Sequence, residues 1–113
     1  MSCSENTNAA AHDPLDALDD AIAAAAFRRF VRHLRHRHDA QNIELMGLAG
    51  FCRNCLADWI ADASEGRPDS MDWSDARALI YAMPYAEWKD RYVLPASKEQ
   101  QERMAASMKL NAG

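Results

Sequence analysis

A chain of 113 residues has room for one domain and buries only about two thirds of the surface its unfolded form exposes, so a large internal active-site cavity is excluded. With 49% apolar and 27% charged residues, the composition also excludes wholesale disorder. The net charge of −4 rules out a global attraction to nucleic acid but conceals a local concentration, because Arg28, Arg29, Arg32, Arg35 and Arg37 fall within ten residues.

No apolar run reaches the roughly 18 residues that a membrane span requires. The start Met1-Ser2-Cys3-Ser4-Glu5 lacks the basic and apolar regions of a secretory signal, which points to the cytoplasm. Three cysteines, an odd number, then argue for reduced thiols rather than a disulfide framework. Cys3 falls in a polar tail and is expected to have no structural role.

Residues 1–12 are rich in Ser, Asn, Thr and Ala and read as a disordered tail, leaving 13–110 as a single helical domain. Asp13 is suited to cap a first helix and Pro14 to occupy its first turn, with Asp16, Asp19 and Asp20 near the positive end of its dipole. This helix is expected to run to about Arg37, but its apolar face changes side. Leu15, Leu18, Ile22 and Ala25 fall on one side, and Phe27, Phe30, Val31 and Leu34 on another rotated by roughly 120°. The changeover lies in the alanine run 23–26, so either the helix bends there or its first half packs on something its second half does not touch, such as a partner chain.

A second helix, capped by Asp39, is expected over about 40–63 through Ile43, Leu45, Leu48, Ala49, Cys52, Leu56, Trp59 and Ile60, ending before Glu65-Gly66-Arg67-Pro68. A third starts near Asp72 or Ser74 and carries Leu79, Ile80 and Met83. Pro84 interrupts it, and a short fourth helix follows through Trp88 to Tyr92. Ser97-Lys98-Glu99-Gln100 has the spacing of a capping box and opens a last helix through Met104 and Met108. No period-two alternation argues for a strand. The expectation is an all-α domain of four to five helices around the central helix.

That central helix has two faces suited to packing. Gly47, Gly50, Asn54, Ala57 and Ala61 share one, opposite Leu45, Ala49, Cys52, Leu56 and Trp59. Glycine inside a helix costs about 0.5 to 1 kcal/mol relative to alanine, so two on one face imply a close neighbour. The neighbour is either another helix of the same chain or a second copy in an intertwined or closely packed homodimer. Buried on that face, the Asn54 amide needs partners.

Cys52-Arg53-Asn54-Cys55 is the one element with the look of chemistry, since residues three apart on a helix reach one metal ion or each other. A structural metal such as zinc wants four ligands. His33, with His36 and His38 after it, ends the preceding helix, and one or two of these, or a second chain, would have to complete the set with Cys52 and Cys55. A redox role fits poorly with thiols in mid-helix, because thiolates are favoured at helix N-termini. Core packing of small apolar thiols is the plainer account.

Arg28, Arg32 and Arg35 project along one helix face and would suit phosphates or an acidic partner, but no aromatic residues interleave with them, and cations near a helix C-terminus are common for structural reasons. Nucleic acid is therefore not an expected partner. Tyr81, Tyr85, Trp88 and Tyr92 recur at helical spacing and read as core and interface aromatics with polar tips at water. No catalytic acid, base or nucleophile accompanies them.

The segments Phe27-Arg28-Arg29, His33-Leu34, Gln41-Asn42-Ile43, Leu45-Met46, Leu48-Ala49-Gly50-Phe51-Cys52-Arg53-Asn54-Cys55-Leu56 with Trp59, and Tyr81-Ala82-Met83-Pro84-Tyr85 with Trp88-Lys89 resemble the bacterial family called Domain of Unknown Function 1244. The similarity covers roughly residues 26 to 104. It implies a compact helical fold in an intracellular bacterial setting and no activity. Function is thus expected to be that of a non-enzymatic binding or regulatory module acting as a homo-oligomer. The alternatives are a metal- or thiol-dependent protein using Cys52 and Cys55, and nucleic-acid binding through Arg28, Arg32 and Arg35.

Overall fold

The structure, a computed structural model, describes residues 13–112. The expected tail over 1–12 and Cys3 within it lie outside the described residues. Six α-helices and one 3-10 turn account for most of what is described, with no strand among these residues.

Asp13 caps as expected, its carboxylate accepting from the Leu15 N–H at 2.9 Å, but what it caps is only the 3-10 turn Pro14–Ala17. The chain extends at Leu18, and Asp19 then caps α1, Asp20–His36, by accepting from the N–H groups of Ala21 and Ile22. The single first helix expected from Pro14 is therefore two elements. Two capping aspartates in series give each its own start, whereas the change of apolar side at 23–26 falls within α1, which runs through it unbroken.

The expected continuous helix over 40–63 is likewise two, α2 (Asn42–Ala49) and α3 (Arg53–Ser64). Gly50 ends α2 in the left-handed conformation, φ 74°, with its N–H bonded to the Met46 carbonyl. An unstrained left-handed residue is what glycine supplies at a helix end. Asp39 does not cap α2. It pairs with Arg37, and Gln41 precedes the helix with its N–H donating to Glu44 Oε1 at 3.1 Å.

Asp72 caps α4 (Trp73–Tyr81), accepting from the Asp75 N–H at 2.8 Å. Pro84 precedes α5 (Tyr85–Tyr92). The capping box opens α6 (Lys98–Ala112), with Gln100 Oε1 accepting from the Ser97 N–H and Ser97 Oγ from the Gln100 N–H.

Packing is pairwise: α2 lies against α6 and α3 against α4, with α5 and α1 resting on α4. The larger core joins Val31 and Leu34 of α1 to Leu56, Ala57, Ala76, Ile80, Tyr81 and Trp88, and a smaller one joins Met46, Cys52 and Cys55 to Met104 and Met108. Phe51, in the break between α2 and α3, packs against both. The α2/α3 break is therefore the hinge point between the two cores, and the fold turns on it. No helix of the described residues is long and apolar enough to cross a membrane.

Candidate functional site

Splitting the central helix moves the cysteine motif from mid-helix to the start of α3, with Cys52 as its N-cap and Cys55 in its first turn. The objection that the thiols lie away from a helix N-terminus therefore falls. Both side chains are buried, Cys52 8% and Cys55 4% exposed, and both belong to the smaller core. His33 is exposed on α1, and no cluster of three or more His, Cys, Asp or Glu residues able to hold a metal occurs among the described residues.

The motif residue with the most structural consequence is Arg53, 2% exposed and without a carboxylate partner among the described residues. Its guanidinium donates to the Ala40 carbonyl at 2.7 Å, the Arg37 carbonyl at 2.7 Å and Asn42 Oδ1 at 3.0 Å, and lies 5.0 Å from the Trp88 ring centre. Those carbonyls belong to the segment that joins α1 to α2. A planar cation with several donors is thus spent on tying a loop to the start of α3. Burial pushes its pKa down.

Asn42 also donates to Tyr81 Oη at 3.0 Å, and Tyr81 in turn donates to Asn54 Oδ1 at 2.7 Å. Tyr81 is 2% exposed, so its hydroxyl is not at water as expected but inside a chain of polar groups joining α2, α4 and α3. Burial pushes the phenol pKa well up. Gln41 extends the network, its amide donating to the Tyr92 carbonyl and accepting from the Leu94 N–H. This polar lattice specifies the relative placement of five segments.

His38 closes it. The Trp88 indole donates to His38 Nδ1 at 3.0 Å, and the imidazole stacks on Tyr92 with ring centres 3.9 Å apart. Accepting at Nδ1 requires the neutral ring, and desolvation, with Arg53 and His36 nearby, lowers the His38 pKa from its ordinary 6.5. A pKa lower in the folded than in the unfolded chain means that the contribution is complete above 6.5 and is lost as pH falls through the lowered value. Thermal unfolding is expected to show a declining midpoint below pH 6.5, and His38→Gln to flatten that decline. Asp39, held down at about 2 by the Arg37 hydrogen bond, titrates too low to interfere.

The small-faced residues do meet close neighbours. A Cβ on Gly47 would come within 3.0 Å of Arg103 Cγ, and one on Gly50 would overlap the Asn111 side chain, both on α6. Ala57 is fully buried and Ala61 packs on the larger core. Close approach at both glycines is therefore made by this chain's own α6.

Away from these glycines α1 presents a contrasting surface. From Asp20 to Phe30 only Ala24 is even half-buried. Ile22 is 58% exposed, and Leu15, Leu18, Phe27 and Phe30 are also exposed. Between this helix and the body runs an open groove of about 380 Å3, its apolar walls formed by Ala24, Phe27, Val31, Ile60, Leu79 and Ile80. Arg28, Arg32 and Arg35 also line it. Arg35 does not act with the other two, because it bonds the carbonyls of Leu79 and Ile80 at the end of α4. Arg28, Arg29 and Arg32 make no ion pair among the described residues.

The molecule is thus a small helical module with a polar lattice inside and an arginine-rimmed apolar groove outside. A family model described as "Protein of unknown function (DUF1244)" matches residues 40–106, and the chain belongs to that family. No curated protein matches the chain. The match takes in the buried lattice from Gln41 onwards but not α1, which supplies one side of the groove. Sequence patterning singled out Cys52 and Cys55 but not Arg53, Asn42, Tyr81 or His38 as a set. They are scattered over more than forty positions, and no spacing rule joins them.

Proposed function

We propose that this protein is a non-enzymatic binding module that acts as a homo-oligomer through α1 and the groove beside it. The observation that carries this reading is the exposure of α1 from Asp20 to Phe30 with Ile22, Phe27 and Phe30 on it. A helix of 17 residues is marginal in water without tertiary packing, and only its last turns, through Val31 and Leu34, reach the core. Contiguous apolar surface rimmed by charge marks an interaction site. The buried polar lattice supports the same reading from the other direction, since the hydrogen bonds of Arg53, Asn42, Tyr81 and Gln41 join segments of this chain to one another.

Light scattering at several hundred micromolar protein is expected to give at least twice the chain mass. A strict monomer at that concentration overturns the reading.

A further inference from the structure

The charges along α1 suggest how two copies would meet. The segment before and at its start carries Asp16, Asp19 and Asp20, and its later turns carry Arg28, Arg29 and Arg32, with the alanine run 23–26 between them. Asp16 and Asp20, like the three arginines, make no ion pair among the described residues. Asp20, Ala24 and Arg28 follow one another at intervals of four and share one face of the helix, the face on which Ala24 and Arg28 line the groove.

A two-fold axis requires each interface residue to meet a partner that meets it in return, and a residue on the axis meets itself. A charged or bulky side chain there would repel or clash with its own copy. The alanines are the only stretch of α1 small and neutral enough to be crossed in this way. We propose that α1 lies antiparallel to α1 of a second copy across a two-fold axis at Ala24, so that Asp20 of each chain faces Arg28 of the other. This rests on the homo-oligomer reading above and specifies its geometry. A parallel arrangement would set Asp20 against Asp20 and Arg28 against Arg28, so the charge pattern selects the antiparallel one.

The test uses two full-length variants, Asp20→Arg and Arg28→Asp, each checked for unaltered helix content by circular dichroism. Each substitution reverses two symmetry-related contacts, turning attraction into repulsion, and is expected to weaken self-association by about tenfold or more in sedimentation equilibrium. An equimolar mixture of the two is expected to regain wild-type affinity. In the mixed dimer the arginine introduced at position 20 of one chain faces the aspartate introduced at position 28 of the other, and the native Arg28 of the first faces the native Asp20 of the second. A mixture no tighter than the separate variants, or separate variants as tight as wild type, overturns the antiparallel pairing while leaving wild-type oligomerisation standing. A monomeric wild type overturns both, and leaves the groove to an acidic helix from a different protein.

Discussion

Arg53→Met is expected to lower the unfolding free energy by about 3 kcal/mol. Methionine fills much of the same volume but leaves the Ala40 carbonyl without its guanidinium donor, while the Arg37 carbonyl and Asn42 Oδ1 keep only their bonds from the N–H groups of Ala40 and residue 53, at 3.1 and 3.4 Å. An unsatisfied buried acceptor costs roughly 1 to 3 kcal/mol. Part of that sum is returned, because a desolvated guanidinium no longer has to be held in the interior. Loss of the cation over the Trp88 ring adds to the deficit. The measurement is urea unfolding, with a lower midpoint and an unchanged slope. Arg53→Lys is expected to recover less than half, since an ammonium on a flexible stem cannot bridge two carbonyls and an amide at once. A loss under about 1 kcal/mol for Arg53→Met would mean that water replaces the guanidinium freely, which its 2% exposure argues against.

Gly50→Ala is expected to cost about 2 to 3 kcal/mol, from two sources that can be separated. An L-residue in the left-handed region costs about 1 kcal/mol or more. The new methyl also overlaps the Asn111 side chain, which donates to the Gly50 carbonyl at 2.7 Å and anchors the end of α6. Displacing it forfeits that bond, about 1 kcal/mol further. Gly66 is the internal control: its φ is 79°, but nothing lies within 4 Å of the added carbon. Gly66→Ala therefore carries only the backbone cost, and the difference between the two variants in thermal or urea unfolding reports the docking of α6. Equal losses at both positions would show that α6 yields without resistance.

Residues 50–55 show where reading the sequence succeeded and where it failed. Apolar periodicity from Ile43 to Ile60 runs through Gly50 almost unbroken, so the wheel merges α2 and α3 into one helix. Glycine at position 50 is consistent with either a tolerated interior residue or a left-handed terminus. What decides is the arrival of α6 at the Gly50 carbonyl through Asn111, 61 residues later, and no local pattern contains that event. The same merging misplaced the cysteines in mid-helix. It also hid Arg53, whose partners lie in a loop that exists only because α1 stops at His36.

Boundaries governed by neighbours in the chain were legible. Asp72 before α4, Pro84 before α5 and the Ser97/Gln100 box before α6 all act through side-chain to backbone bonds two to four residues long, or through proline's fixed φ. Asp13 acted as expected, but Asp19, the stronger competitor six residues on, took over the long helix. Family membership was legible as well, because it is carried by contiguous residues such as Leu48 to Leu56.

The α1 surface lies between these cases. Its change of apolar side and its reversal of charge are both visible in sequence, and the first of these left two readings, a bend in the helix or a first half that packs on something its second half does not touch. That the first half stands clear of the body, and that the arginines rim a groove beside it, depended on where α3 and α4 lie.

The sequence by itself determined the all-helical class, the starts of α4, α5 and α6 and the family, since these depend on periodicity, capping and contiguous residues. Only the tertiary structure decided that the central helix is broken at Gly50, that Arg53 is a buried clamp rather than a companion to two thiols, and that α1 is largely uncovered. Those outcomes depend on contacts between residues ten to sixty positions apart, whose energies no local pattern records.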